Sequence, residues 1–226
     1  MSNNKSTVEQ QYNALYDVAK KHGISEFGIM ANQSWNEDPK RTLFTLSRYK
    51  FVSKMLSGLN SVLEIGCADA FGTRLVQQTV KYVTAVDFDP LFIEDVKRRY
   101  NKSWPLTYQL HDMLKAPVDG IFDAAYCLDV LEHILPKDED LFIRNSIASI
   151  GEHGIFIAGM PSIESQLYAS KQSKEGHVNC KSGEKFKDDM KKYFHNVFLF
   201  SMNDEVVHTG YTPMSQYVIV LCTEKK

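Results

Sequence analysis

The sequence predicts an α/β fold: a mostly parallel sheet of seven strands with an antiparallel last strand, helices on both faces, and an N-terminal helical lid. Three observations lead there. From Ser61 onward, short apolar runs alternate with helical segments of about ten to fifteen residues, the rhythm of βαβ units. Those runs are near-continuous rather than alternating, which suits strands covered on both faces. Several of them end in an acid, and in open parallel sheets ligands sit where strands deliver their carboxyl ends.

Taken in order, "STVEQQYNALYDVAKKHG" places Val8, Tyr12, Leu15 and Ala19 on one helical face, with Ser6 and Glu9 at capping-box spacing and Gly23 at the stop. A polar stretch holding Trp35 and Pro39 follows. A second periodic segment, from about 40 to 57, groups Phe44, Phe51, Val52 and Met55 and ends at Gly58. Residues 1–58 are thus read as a helical cap and 59–226 as the sheet-bearing part of the same domain. The expected strands are 62–65, 82–86, 107–110, 122–128, 155–158, 197–200 and 217–221, with helices near 72–79, 91–100, 140–150 and 183–194. The last two strands are joined by "SMNDEVVHTGYTPMSQ", which has no room for a crossover helix, so they should run antiparallel to each other.

Composition narrows the function. With 26 basic against 28 acidic residues and a net charge of -2, the chain offers no general field for a polyanion, so nucleic acid is not an expected partner. The four cysteines lack CxxC spacing and follow no secretory leader, which reads as a cytoplasmic protein with free thiols. No apolar run approaches the roughly 20 residues of a membrane helix. No membrane partner is expected.

The acids that close successive strands carry the chemistry. Glu64 and Gly66 end the first strand, Asp87 the second, Asp112 the third and Asp129 the fourth. Asp87 lies 21 positions after Gly66, the layout in which a glycine turn admits a nucleotide and the second-strand acid holds ribose hydroxyls. The window from Gly66 reads "GCADAFG", not GxGxxG, and Glu64 and Asp69 would repel a pyrophosphate. A nucleoside bearing a cationic amino-acid group suits them better, and S-adenosylmethionine is such a ligand. Taken singly, Asp87 could instead cap a turn before Pro90, and Asp112 could be a solvated loop acid.

The segment "VLEIGCADAFG", followed by "AVDFDP", "HDM" and "FDAAYCLDVLEHI", resembles the four ordered motifs of class I S-adenosylmethionine-dependent methyltransferases, which have a Rossmann-like sheet. The resemblance implies that Glu64, Gly66, Cys67 and Ala68 lie near the methionine moiety of the cofactor. It also implies that Asp87 takes the ribose hydroxyls, that Phe88, Asp112 and Met113 meet the adenine, and that Leu128 lies beside the cofactor. S-adenosylhomocysteine would be the product. The polar ending is similar to small methyltransferases of bacterial surface-polysaccharide synthesis, which implies a sugar-derived acceptor.

"LDVLEHI" bears on the acceptor. With a helix starting near Asp129, Glu132 at i+3 and His133 at i+4 share its face. His133 is then a general base for a hydroxyl, or Asp129, Glu132 and His133 ligate a divalent cation that lowers the hydroxyl's pKa. Alternatively, Asp129 merely caps the helix and His133 bonds a backbone group. ExxEH here resembles the metal-binding element of ubiquinone O-methyltransferases and small-RNA 2′-O-methyltransferases, with Asp129 in place of the first Glu. His177, in a long polar loop, is the candidate fourth ligand, and His208 and Tyr211 are candidate acceptor contacts. The expected activity is O-methylation of a small hydroxylated acceptor; the alternatives are N-methylation of a small metabolite and a methyltransferase-like fold that binds without transferring.

Overall fold

The computed structural model describes residues 7–226. One sheet of eight strands organises it, in the order β3-β2-β1-β4-β5-β8-β6-β7. These are β1 (Ser61–Ile65), β2 (Tyr82–Asp87), β3 (Thr107–Leu110), β4 (Phe122–Leu128), β5 (Ile150–Pro161), β6 (Phe194–Asn203), β7 (Val206–His208) and β8 (Tyr217–Lys225). Strands β1 to β5 pair in parallel, and β8 inserts antiparallel between β5 and β6. The antiparallel end is as expected. The seven-strand reading missed β7, which pairs with β6 through only three residues and is too short to leave a period in the sequence.

The helices are α1 (Asn13–His22), α2 (Ile29–Glu37), α3 (Pro39–Met55), α4 (Thr73–Gln77), α5 (Pro90–Arg98), α6 (Glu139–Ala148), α7 (Lys171–Gly176) and α8 (Gly183–Met190). Both sheet faces are covered. On one, Phe142 and Ile143 of α6 and Phe186 and Met190 of α8 bury against Leu63, Ala125 and Phe156. On the other, Phe51 and Val52 of α3, followed by Leu56, pack with Val76 of α4 on Val62, Val83 and Tyr126. Helix α3 is therefore core as well as cover. Asp38 caps it and Pro39, read in the sequence as part of the polar stretch before it, is its first residue.

Helix α2 replaces the expected polar stretch. Gly28 gives it no capping side chain. Its first-turn N–H groups instead donate to acids from afar, Ala31 to Asp69 at 2.7 Å and Ile29 to Asp95 at 3.2 Å. No local pattern could announce such partners. Helix α1 forms, but Tyr12, Leu15, Tyr16 and Val18 stay exposed and it buries no residue. Ser6 of the expected capping box lies outside the described residues.

Two other differences shape the site. The helix expected from Asp129 is a single 3-10 turn, Leu131–His133, because Asp129 adopts a left-handed conformation (φ 58°) that ends β4 and reverses the chain. The long loop after β5 holds a 3-10 turn, Glu164–Tyr168, and α7, and is tied back by a bridge between Ser162 and Lys181. Among the described residues, no helix is long and apolar enough to cross a membrane.

Candidate functional site

A cavity of about 940 Å³ opens at the carboxyl ends of β1, β2 and β4 and beside the residues following β3. The turn between β1 and α4 makes its floor. Gly66 and Cys67 both donate to the Val86 carbonyl, at 2.8 and 3.0 Å, so the turn is stitched to β2. Gly66 has φ 74°, and a Cβ there would come within 2.4 Å of Val130. Ala68 and Ala70 are also left-handed, at φ 45° and 52°, a strain of about 1 kcal/mol or more each that tends to be kept at ligand sites. Small side chains keep this turn low.

Asp87 closes β2 and lines the cavity. One carboxylate oxygen accepts the Ala68 N–H at 2.8 Å and the other the Asp89 N–H at 3.0 Å. Each oxygen keeps a lone pair for a further donor. Burial raises the pKa of this carboxyl, against the pull of those N–H groups. Phe88 beside it lines the cavity with 72% of its surface exposed. Asp112 accepts the Leu114 N–H at 2.9 Å, and Met113 and Leu128 are buried in the cavity wall.

Glu64 is placed differently from the expectation. It is buried beneath the cavity and is not among its lining residues. Its carboxyl accepts the Tyr49 hydroxyl at 2.7 Å and the Thr73 hydroxyl, so it ties α3 and α4 to β1. Contact with a ligand would pass through Tyr49, which does line the cavity. Burial pushes the Glu64 carboxyl up to about 7 from 4.5. A carboxyl with a raised folded pKa keeps its proton longer when folded, so its contribution to stability is greatest at low pH and is lost as pH rises from 4.5 toward 7. Urea unfolding at pH 5 and pH 8 should therefore find wild type losing about 3 kcal/mol relative to Glu64→Gln over that interval. An unchanged difference would contradict the assignment.

At the end of β4, Asp129 binds Arg48 of α3 through both oxygens, at 2.7 and 2.6 Å. The guanidinium lies 3.8 Å over the Tyr217 ring, and the Asp129 N–H reaches the Tyr217 hydroxyl at 3.3 Å. Sequence reasoning could not find this cluster, because Arg48 and Asp129 are 81 positions apart.

Glu132 follows. It is buried, and neither carboxylate oxygen has a hydrogen-bond partner among the described residues. Burial, reinforced by the Asp129 charge, raises its pKa well above the ordinary range. Glu132, His133 and His177 each offer a ligand atom within 4.8 Å of the others. His133 Nδ1 faces the Gly176 carbonyl at 2.9 Å and His177 Nδ1 faces Gln166 Oε1 at 2.8 Å. A carbonyl acceptor requires the proton on Nδ1, which leaves Nε2 of each ring available as a ligand. Burial lowers the His177 pKa, aided by His133.

The chain thus brings His177 to Glu132 and His133, as the spacing argument asked, but not Asp129. The expected shared helical face does not exist, and the carboxylate of Asp129 is engaged by Arg48. His208 and Tyr211 are not brought to the cavity at all. His208 bonds Asn203 and Gly210 within the β6–β7 hairpin, and Tyr211 precedes a 3-10 turn with 72% of its surface exposed. Met30, Ser34, Thr42 and Thr45 of α2 and α3 line the cavity instead.

Known proteins bear on this geometry. Residues 63–158 match the family described as "Methyltransferase domain". The ubiquinone biosynthesis O-methyltransferase of Xanthomonas axonopodis pv. citri (strain 306) is 28% identical over 118 residues, covering 49% of each chain. The chain spans about half the length of the curated relatives it matches. Among solved structures, the N-methyltransferase NodS from Bradyrhizobium japonicum WM9 in complex with S-adenosyl-L-homocysteine superposes with a TM-score of 0.63 at 16% identity, covering 84% of this chain and 90% of that one. A possible histamine N-methyltransferase from Thermotoga maritima gives 0.66 at 17%, covering 86% and 94%. The fold is therefore that of the S-adenosylmethionine-dependent methyltransferases.

Proposed function

We propose that this chain is an S-adenosylmethionine-dependent methyltransferase acting on a hydroxyl of a small acceptor. The observation that carries the reading is Asp87, a buried carboxylate at the end of β2 that faces a cavity of about 940 Å³ with lone pairs to spare. The cofactor fits these residues. Asp87 would hold the ribose hydroxyls, Phe88, Asp112 and Met113 the adenine, and the low turn at Gly66, Cys67 and Ala68 the amino-acid end. When bound, S-adenosylmethionine supplies a methyl group activated by its sulfonium, so alignment of the acceptor carries most of the rate.

Oxygen methylation is favoured by Glu132, His133 and His177. A buried carboxyl without a partner is costly, and two imidazole nitrogens beside it complete a cation site. These three would hold a divalent cation, which would lower the pKa of the acceptor hydroxyl. A second reading has the same fixed tautomer of His133 serving as a general base with no cation. The acceptor is a small hydroxylated molecule; a sugar-derived one remains within that class, although His208 and Tyr211, which prompted it, stand away from the cavity. Transfer of labelled methyl to panels of sugars, phenols and amines, with and without EDTA, tests the proposal. Transfer to hydroxyls that EDTA abolishes is the expected result; transfer to amines alone would overturn the oxygen assignment.

The N-terminal helices would act as a lid, since α2 and α3 contribute Met30, Ser34 and Thr45 to the wall. Gly28 is the point at which α2 meets the cofactor turn, and a Cβ there would come within 2.3 Å of Asp69. Gly28→Ala should weaken S-adenosylhomocysteine binding by roughly tenfold while leaving the sheet core intact. Unchanged affinity would remove the lid from the account.

A further inference from the structure

A second cavity, of about 770 Å³, lies between α4, the C-terminal end of α5 and residues 21–26. It shares only Leu46, Asp69 and Phe71 with the cavity above. The whole chain carries a net charge of -2, yet this groove gathers five Lys and Arg side chains against the carboxylates of Glu26 and Asp69. Two of the cations are neutralised, Arg98 by Glu26 and Asp95 and Arg99 by Asp95. Asp69 is occupied by the N–H groups of Ala31 and Phe71.

Lys21, Arg74 and Lys102 remain, and none of them forms an ion pair among the described residues. The Arg74 guanidinium lies 3.9 Å over the Trp104 ring, which fixes its plane and directs its N–H edge. Partial burial already lowers the Arg74 pKa. A clip between His22 and Ser103, at 2.7 Å, joins the end of α1 to the loop that carries Lys102 and Trp104. An ordinary basic face is convex and solvated. This one is concave, with an oriented guanidinium and uncompensated charge.

We propose that the groove is a second ligand site that takes a phosphorylated small molecule, whose phosphate is held by Arg74, Lys102 and Lys21. Three cations call for two or more negative charges on the ligand, and a guanidinium edge suits phosphate oxygens. The site is argued from its own residues and does not depend on the activity proposed above.

Trp104 is one of two tryptophans, so its fluorescence in a Trp35→Phe protein reads the groove directly. Pyrophosphate and ADP are titrated separately at about 0.15 M salt, each without and with S-adenosylhomocysteine to occupy the first cavity. Saturable quenching by pyrophosphate is expected, with Arg74→Gln and the exposed Lys102→Gln each raising the midpoint roughly tenfold. A linear response, or midpoints in both variants unchanged from that of the Trp35→Phe parent, would overturn the site. So would a response to ADP alone that S-adenosylhomocysteine abolishes, since that belongs to the first cavity. If S-adenosylhomocysteine itself fails to bind, the methyltransferase reading falls, while the pyrophosphate arm still decides the groove.

Discussion

Asp87→Ala will cost the protein at least about a hundredfold in affinity for S-adenosylhomocysteine, because two charge-assisted hydrogen bonds of about 1.5–3 kcal/mol each disappear. The same carboxylate also receives the N–H groups of Ala68 and Asp89, so alanine loosens the turn as well as removing the ligand contact. Asp87→Asn separates the two effects. It keeps one carbonyl acceptor for the turn and should fall between wild type and alanine. Thermal unfolding with and without ligand is the readout: a ligand at 100 times its dissociation constant stabilises by about 2.7 kcal/mol, a gain that should vanish in the alanine variant. An undiminished gain would place the nucleoside elsewhere.

Glu132→Gln should abolish stabilisation by manganese or magnesium and lower hydroxyl methylation by roughly a hundredfold, the scale of several kcal/mol of lost electrostatic stabilisation. The variant itself should fold normally without metal, because it exchanges one unpartnered buried polar group for another. His177→Ala should reproduce the loss. Arg48→Ala serves as a contrast: it removes the partner of Asp129 without touching the three candidate ligands. Metal binding that survives Glu132→Gln, or activity indifferent to both ligand variants, would leave His133 as a base acting alone.

What the sequence disclosed follows from the range of the forces involved. Strand β1, the Gly66 turn and Asp87 were legible because their signals are local: an apolar run, a small-residue turn and an acid at fixed spacing. Helix α3 announced itself through the apolar period of Phe44, Phe51, Val52 and Met55. Helix α2 did not, since its caps are Asp69 and Asp95, far along the chain. Glu64 was read as a ligand contact because an acid at a strand end faces a site in most such sheets. Here, however, Tyr49 and Thr73 claim both its oxygens and turn it into a buried tie.

The candidate cation site divides in the same way. Glu132, His133 and His177 were named from spacing and loop polarity, and they do meet. Asp129 was counted with them on the premise of a helix that the left-handed backbone at Asp129 forbids. Its engagement by Arg48 and the stacking of that guanidinium on Tyr217 are tertiary facts with no local trace. His208 looked like a pocket residue in composition, yet the short β7 hairpin absorbs its hydrogen bonds.

The most direct measurement is a calorimetric titration of S-adenosylhomocysteine into the EDTA-treated wild-type protein, with its fold verified by circular dichroism. One-to-one binding at roughly micromolar affinity is the result expected if the cavity over Gly66 and Asp87 receives an adenosyl amino acid. No heat of binding from a folded protein would contradict that claim and the activity built on it.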